Sequence, residues 1–268
     1  LERGIPQTVW PCRECDGAGV TRDGEECDHC GGTGYMYQTS VESLVAPAIR
    51  EAMDGTSATF HGAGREDVDA LMLGTGRPFV VEVERPADRF PDVDVLEDEV
   101  NERAAGKVAV EGLAIATYEM VERVKELPAT KTYRASVRFE ELVTDADLQA
   151  AIEPLSGATI EQRTPERVSH RRADKVRTRE VFSIEGALDG DEGEDVRDGE
   201  GGRTATVTVH GEGGLYIKEL LHGDGGRTEP SLAGLLGVDV EVTALDVTSV
   251  EAEEGAFADP AFLRSAPA

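Results

Sequence analysis

Residues 64–79 have the sequence G-R-E-D-V-D-A-L-M-L-G-T-G-R-P-F, a glycine-containing loop with three acids that leads into an apolar segment. The glycines indicate turns, and the β-branched run 79–83 predicts a strand after the loop. Taken alone, Asp67 could simply cap a turn through its side chain. The meaning of the loop therefore depends on the motifs that follow it along the chain.

Two further motifs occur later, each at the start of a predicted element. Residues 131–135 (K-T-Y-R-A) begin a strand, and residues 214–220 (G-L-Y-I-K-E-L) begin a helix. Each has a structural interpretation: Tyr133 could be a strand residue with a solvated hydroxyl, and Lys218 could extend its stem along an amphipathic helix. The presence of all three motifs, in order and at domain-scale spacing, favours one shared site.

A repeated cysteine motif lies near the start of the chain. Residues 12–19 read C-R-E-C-D-G-A-G and residues 27–34 read C-D-H-C-G-G-T-G, so both follow C-x-x-C-x-G-x-G. Two such turns can place four thiolates tetrahedrally around one zinc ion, and the glycines permit tight turns that aim N–H groups at the sulfurs. A zinc-less remnant and a pair of disulfides are the alternatives. We predict a structural zinc, with His29 as a bystander; the ligands are Cys12, Cys15, Cys27 and Cys30.

The three motifs together resemble those of RNA pseudouridine synthases, which carry a catalytic Asp in a G-R-x-D loop, a Tyr in a K-x-Y strand and a basic residue after an apolar one on a helix. The longer run 64–79 is similar to the archaeal and eukaryotic tRNA pseudouridine synthase ten family. So are the segments 6–12, 164–174 (T-P-E-R-V-S-H-R-R-A-D) and 222–232 (H-G-D-G-G-R-T-E-P-S-L). The resemblance covers nearly the whole chain. The family's N-terminal THUMP-type region has no counterpart in the given sequence, so we expect a fragment of a longer protein.

The resemblance implies isomerisation of uridine to pseudouridine in the TΨC arm of tRNA, at position 55 and also at 54, without an organic cofactor. Asp67 would act as a nucleophile at C1′ or as a base at C2′ through a glycal. Tyr133 would stack on the uracil and help to move a proton, and Lys218 would keep Asp67 ionised. Tyr216 and Ile217 would contact the substrate, with Ile217 in the apolar wall of the site.

Arginines are expected to hold the RNA. The target uridine must be flipped out of folded tRNA, and Arg65 would hold its backbone or, alternatively, pair with a nearby acid. Between Arg163 and Arg179, seven Lys or Arg residues stand against two acids. Because this excess opposes the composition of the chain, we predict that it contacts tRNA phosphates, with Arg171 and Arg172 foremost. A solvated charged face is the alternative.

The composition is strongly acidic, with 54 Asp and Glu against 27 Lys and Arg, a formal net charge of -27. Such a charge is typical of a protein from a salt-rich cell, where ions screen its self-repulsion. The same salt weakens phosphate contacts, so RNA binding would rely on stacking, shape and hydrogen bonds. No apolar run reaches the ~18 residues of a membrane span. We expect a cytoplasmic, monomeric protein from a haloarchaeon.

Hydrophobic periodicity predicts helices and strands in irregular alternation. The predicted helices are 41–53, 92–105, 118–127, 145–155, 214–222 and 231–237, and the predicted strands are 57–61, 79–83, 108–116, 132–139, 158–162, 177–185, 204–210 and 238–250. This order indicates an α+β fold; the resemblance specifies the pseudouridine synthase fold, a mixed, largely antiparallel central sheet with flanking helices. The predicted domains are a zinc-binding module, 1–38, and a catalytic domain, 39–268, within which 186–202 is a disordered acidic insert.

Two other classes of function compete with an RNA-modifying isomerase. One is a non-catalytic, zinc-containing RNA-binding protein that has kept the fold. The other is a zinc-domain co-chaperone, but such a domain usually carries four copies of C-x-x-C-x-G-x-G where this chain has two. Only the isomerase would need the acid of the G-R-E-D loop for chemistry.

Overall fold

The computed structural model describes residues 2–64, 66, 68–126, 128–169, 173–190, 201–252 and 255–266. These residues form two compact units. We call Leu1–Asp69, Arg77–Leu127 and Glu254–Ala268 the cysteine unit, and Ala70–Gly76 with Pro128–Glu253 the sheet unit. Residues 1–38 lie in the cysteine unit together with later residues of the chain. The boundary predicted between a zinc-binding module and a catalytic domain after residue 38 stays a prediction.

The chain forms six α-helices and nine strands within the described residues. The helices are α1 Val41–Ala52, α2 Val93–Ala104, α3 Glu119–Glu126, α4 Asp145–Ile152, α5 Ile217–His222 and α6 Leu232–Leu236. The strands are β1 Ser57–Gly62, β2 Leu71–Met72, β3 Phe79–Glu84, β4 Ala129–Val143, β5 Thr159–Arg163, β6 Val176–Leu188, β7 Gly202–Glu212, β8 Thr228–Glu229 and β9 Val240–Ala252. Among the described helices, none is long and apolar enough to cross a bilayer.

In the cysteine unit, α1 and α2 pack on an antiparallel pair of strands, β1 and β3. Two serines form a capping box at the N-terminus of α1. Ser40 accepts a hydrogen bond from the Ser43 N–H at 3.0 Å, and Ser43 Oγ accepts one from the Ser40 N–H at 2.8 Å. Thr39 and Glu42 have the same spacing one residue earlier, but the Glu42 carboxylate accepts a hydrogen bond from the Phe60 N–H at 3.1 Å.

The predicted strand 108–116 is wrong. Within that segment the structure shows a single β-bridge, at Ala116. Side chains of α2 take the backbone groups that a strand partner would have used: Asn101 bonds both the N–H and the carbonyl of Val110 at 2.8 Å, and Glu97 accepts from the Leu113 N–H at 3.0 Å. The alternation of apolar residues in 108–116 therefore reflects burial against α2 and not pairing in a sheet.

The sheet unit contains seven strands in the order β2-β9-β4-β7-β6-β5-β8. Every pair is antiparallel except β2 with β9, which is parallel. Alternate residues of β4, from Tyr133 to Phe139, face a core that also includes buried residues of α4, α5 and α6. The α+β class and the mixed, largely antiparallel central sheet are confirmed. Both β2 and β8 were missed, since two residues are too few to show a period.

The predicted disordered insert is wrong at both ends. Residues 186–188 complete β6 and Gly202 begins β7, and the two strands pair as far as Leu188 with Ala205. The lack of a side chain at Gly186 reflects close packing, because a Cβ there would lie 2.5 Å from Ile152 Cδ1. Residues 191–200 lie outside the described residues.

Candidate active site and metal centre

The four cysteines converge on one point. Their Sγ atoms all lie within 4.8 Å of one another, with Cys12 and Cys27 at 3.9 Å and Cys15 and Cys30 at 3.8 Å. A disulfide would need about 2.05 Å, so these thiols are not cross-linked. Sulfurs placed tetrahedrally at the usual Zn–S distance of about 2.3 Å lie about 3.8 Å apart. The cluster therefore has the dimensions of a four-thiolate metal site.

The two C-x-x-C-x-G-x-G turns support the sulfurs in the same way. The Gly19 N–H points at Cys15 Sγ at 3.2 Å, and the Gly34 N–H points at Cys30 Sγ at 3.3 Å. Both glycines have positive φ, and a Cβ on either would lie 2.3 or 2.4 Å from a backbone oxygen of the other turn. Each turn thus needs glycine to approach its partner, which is the role that the sequence predicted for these residues.

The environment of Cys30 favours the thiolate. Burial raises the pKa of this thiol, but the Gly34 N–H and the neighbouring sulfurs outweigh that effect and bring the pKa down to about 7. The thiolate is the form that binds a metal. His29 is exposed and is not a member of the cluster, as expected of a bystander.

The loop 64–69 is described only in part, and the predicted catalytic Asp67 and its neighbour Arg65 lie outside the described residues. Arginines of the cysteine unit hold the residues that flank Asp67 in sequence. Arg77 lies 3.6 Å from the Glu66 carboxylate and donates to Gln7 Oε1 at 3.1 Å, and Arg3 donates to the Asp69 carbonyl at 3.0 Å. Glu66 therefore has a structural partner.

The second half of the motif, L-M-L-G-T-G, docks on β9 in the sheet unit. After β2, the Leu73 N–H donates to the Val247 carbonyl at 2.7 Å. Gly74 has φ +58°, and a Cβ there would lie 1.9 Å from the Thr248 carbonyl oxygen. The first glycine of the L-G-x-G sequence is thus required by close contact between two backbones.

Tyr133 lies at the centre of the sheet. It pairs with Val209 of β7 on one side and Val247 of β9 on the other, and it is only 3% exposed. The alternative of a solvated hydroxyl on a strand surface is therefore wrong. Tyr133 and Ile217 of α5 both belong to the hydrophobic core of the sheet unit. Lys131, from the same motif, is also buried.

The third motif forms the turn into α5. Gly214 has φ +89°, Tyr216 is the N-cap, Ile217 is buried, and Lys218 is partly exposed in the first turn of the helix. The helix starts at residue 217 rather than 214, because the first three residues of the predicted helix form the turn. The order of an apolar, buried residue before a partly exposed basic one fits the roles expected of Ile217 and Lys218.

Two side chains that we did not predict hold this turn from the neighbouring strand. Gln162 of β5 is fully buried and bonds both the N–H and the carbonyl of Tyr216, at 2.8 and 2.9 Å. Arg167, just after β5, donates to Glu219 at 2.7 Å. A signal was available for Gln162, since it occupies the inward position of an alternating strand where an apolar residue is usual.

The basic run 163–179 is partly neutralised within the sheet unit. Arg163 pairs with Asp174, Arg179 lies 3.4 Å from Glu212, and Arg167 pairs with Glu219 at 2.7 Å. Arg171 and Arg172, expected to contact tRNA, lie outside the described residues. The excess of positive charge available to RNA from the described part of this run is therefore smaller than the sequence suggests.

The chain belongs to the family described as "Pus10, C-terminal", whose model matches residues 1–251. It is 58% identical, over 98% of its length, to a protein of Halorubrum lacusprofundi named tRNA pseudouridine synthase Pus10. A protein of the same name from Methanothrix thermoacetophila is 51% identical over 93% of the chain. The chain spans 59% and 51% of these two relatives. A relative from a haloarchaeon agrees with the halophilic composition.

Among solved structures, the chain resembles one titled "Crystal Structure of a Cbf5-Nop10-Gar1 Complex", with a TM-score of 0.47. The identity is 21%, and the match covers 78% of this chain and 45% of that one. This likeness is too distant to inform the site.

Proposed function

We propose that the chain is the catalytic part of a tRNA pseudouridine synthase. The family match over residues 1–251 carries this proposal, because the relatives named for that activity share more than half of their aligned residues with the chain. The three motifs supply residue types that such a reaction needs, in the expected order. The chain spans only part of those relatives, so the activity and the substrate of the whole relatives are a proposal for this chain.

The reaction is an isomerisation and needs no oxidant, reductant or cofactor. The bond from N1 of uracil to C1′ breaks, the base rotates, and C5 bonds to C1′; the proton from C5 leaves and N1 gains one. Asp67 would serve as nucleophile at C1′ or as base at C2′. Lys218 would favour the ionised form of Asp67, while Tyr133 would stack on the base and assist the proton transfer.

Arginines and the apolar wall would bind the flipped nucleotide. We propose Arg65 for its backbone, Tyr216 and Ile217 for the base, and Arg171 and Arg172 for tRNA phosphates. The proposed target is the TΨC arm, at uridine 55 and also at 54, in a monomeric enzyme of the cytoplasm. The partial neutralisation of the basic run agrees with binding that depends on shape and stacking more than on net charge in high salt.

We also propose that the cysteine cluster holds one structural Zn²⁺. The sulfur spacing and the two N–H groups aimed at sulfurs suit a tetrahedral ion with four thiolates. Such a closed site has no open position for substrate or water, so its role would be to fold the module and not to take part in the isomerisation.

The proposal is tested by release of tritium from tRNA labelled with 5-³H-uridine, at molar KCl. We expect release by the wild-type chain and none above background by Asp67→Ala. Asp98→Ala removes an exposed acid of α2 and should release tritium at the wild-type rate. If the wild-type chain bound tRNA without releasing tritium, the alternative of a non-catalytic RNA-binding protein would replace this proposal.

A further inference from the structure

We propose that Gln162 and Arg167 position Lys218, by fixing residues on both sides of it to β5 and to the turn that follows β5. This inference rests on the proposed function, in which Lys218 acts on the catalytic acid. Neither residue would touch the substrate; both act through the backbone or side chain of a neighbour of Lys218. The segment containing them, Q-R-T-P-E-R-V (162–168), would then have a role beyond binding RNA.

Gln162 fixes the residue two positions before Lys218. Its carboxamide donates to the Tyr216 carbonyl and accepts from the Tyr216 N–H, which is the pairing that a neighbouring strand would provide. Tyr216 is extended, with φ -87° and ψ 98°, and its carbonyl also accepts the Leu220 N–H at 2.9 Å, the first bond of α5. One buried amide thus sets where the helix begins.

A buried amide is favourable only if its hydrogen bonds are made. Gln162 is 0% exposed, between the buried residues Ile160 and Thr164 on the inward face of β5. Replacing it by an apolar residue would remove one hydrogen bond from the Tyr216 N–H and one from its carbonyl, which would keep the bond from Leu220. The presence of a polar residue in this position is therefore explained by its contact with Tyr216.

Arg167 fixes the residue that follows Lys218. Glu219 is 1% exposed, and its carboxylate accepts from Arg167 Nε at 2.7 Å. A carboxylate this deeply buried needs a cation close by. Arg167 lies in the 3-10 turn Glu166–Val168, which Val168 anchors by its burial. Arg167 therefore serves the fold of α5, although the sequence placed it in a run expected to contact tRNA.

Together the two contacts determine the direction of Lys218. Successive residues of a helix differ by about 100° around its axis, so fixing positions 216 and 219 leaves little freedom for the backbone at 218. Lys218 itself is partly exposed in the first turn of α5. A misplacement of about 1 Å at a reacting group costs on the order of 100-fold in rate.

The test compares Gln162→Leu and Arg167→Met with the wild-type chain by three measurements. The first is the single-turnover rate of tritium release from 5-³H-uridine tRNA, the second is the Kd for that tRNA, and the third is amide hydrogen exchange at residues 216–218. Arg138→Met is the matched control, because its pair with Glu241 is exposed and lies elsewhere on β4. Arg167→Lys keeps a cation beside Glu219.

We expect the rate to fall about 10- to 100-fold in both variants, with Kd unchanged and faster exchange confined to α5 and its N-terminal turn. Arg167→Lys should recover much of the rate, and Arg138→Met should match the wild type. If Gln162→Leu fails to fold, Arg167→Met decides alone. Unchanged exchange at 216–218, an unchanged rate, or a loss that appears only in Kd would overturn the proposal.

The exchange measurement separates this inference from the proposed function. If the wild-type chain releases no tritium, the proposed activity fails on that readout alone. Faster exchange confined to α5 and its N-terminal turn would then still support the positioning of Lys218, and unchanged exchange at 216–218 would still refute it.

Discussion

The cysteine turns at residues 12–34 and the seven-stranded sheet are held together by different forces. The turns bury little apolar surface: their cluster consists of the cysteines with Met36 packed against them. The sheet unit is built around a continuous core from five strands and three helices. A region without a core needs another source of stability, and the four converging sulfurs provide a place for it.

The two regions differ in how far their stabilising contacts can be inferred from the sequence. The contacts of the cysteine turns repeat with the motif itself, copy by copy. The contacts that shape the site in the sheet unit, such as Gln162 with Tyr216, join residues 54 positions apart in the chain. A sequence repeat predicts local contacts, whereas the partners in long-range contacts are known only once the fold is known.

The largest effect is predicted for a cysteine substitution, which should unfold the cysteine turns and leave the core of the sheet unit intact. Metal binding by such sites contributes about 10–16 kcal/mol in small peptides, so Cys12→Ser should abolish binding of Zn²⁺ and expose the amides of residues 12–34 to rapid exchange. His29→Ala should keep both. The measurement is zinc stoichiometry together with hydrogen exchange; full protection of 12–34 without metal would show that the turns fold without it.

A smaller effect is expected from the core of the sheet unit. Leu148 is 0% exposed in α4, and Leu148→Ala should lower the free energy of unfolding by about 2–5 kcal/mol because it leaves a cavity. Leu142→Ala removes a side chain that is 63% exposed and should change little. Urea unfolding at fixed KCl measures both. Equal effects of the two substitutions would contradict the assignment of this core.

A third prediction concerns the close approach of the two cysteine turns. Gly34→Ala should weaken zinc binding more than Gly24→Ala, although both glycines have positive φ. Alanine at positive φ costs about 1–2 kcal/mol at either position, but only at Gly34 would its Cβ also meet a backbone oxygen, at 2.4 Å. Competition with a metal indicator gives both affinities, and equal losses would show that the turns do not pack as described.

The smallest predicted effect is a pH dependence of the sheet unit. The Arg163 guanidinium donates to Asp174 and holds the pKa of that carboxyl below its usual value. A lowered folded pKa contributes stability that is present above the unfolded pKa and is lost as the pH falls through the folded pKa. Asp174→Asn should therefore flatten the acid side of the stability profile slightly, since salt screens this exposed pair.

Urea midpoints between pH 7 and pH 3 check that prediction at constant KCl. Asp98→Asn removes the same charge from an exposed position of the other unit and controls for the change in net charge. If wild type and Asp174→Asn lost stability in parallel over this range, the pair with Arg163 would not contribute.

The sequence predicted most of the fold because most elements carry a regular apolar period. The strands from 132 to 139 and from 204 to 210 and the helix from 41 to 53 were all found, with ends that shifted by a few residues. The segment 108–116 shows the limit of the method, since side chains such as Asn101 satisfied its backbone. The pattern of burial alone cannot tell which groups bond the backbone.

The residues of the candidate site likewise include some that the sequence predicted and some that it did not. Spacing alone identified the four cysteines, and their convergence is seen in the structure. Tyr133 and Ile217 were identified by resemblance, and they share one cluster. Gln162 and Arg167 were missed, because their partners Tyr216 and Glu219 lie 54 and 52 positions away in the chain. Asp67, Arg65, Arg171 and Arg172 stay predictions.

The most direct test of the central claim is to locate the product. An unmodified tRNA transcript would be incubated with the chain, or with its Asp67→Ala variant, at molar KCl, and pseudouridine would be mapped by chemical adduct formation and reverse transcription. We predict a new stop at position 55, with a second at 54, for the wild type and neither for Asp67→Ala. Absence of both stops with folded wild-type protein, or equal stops with the variant, would contradict the account.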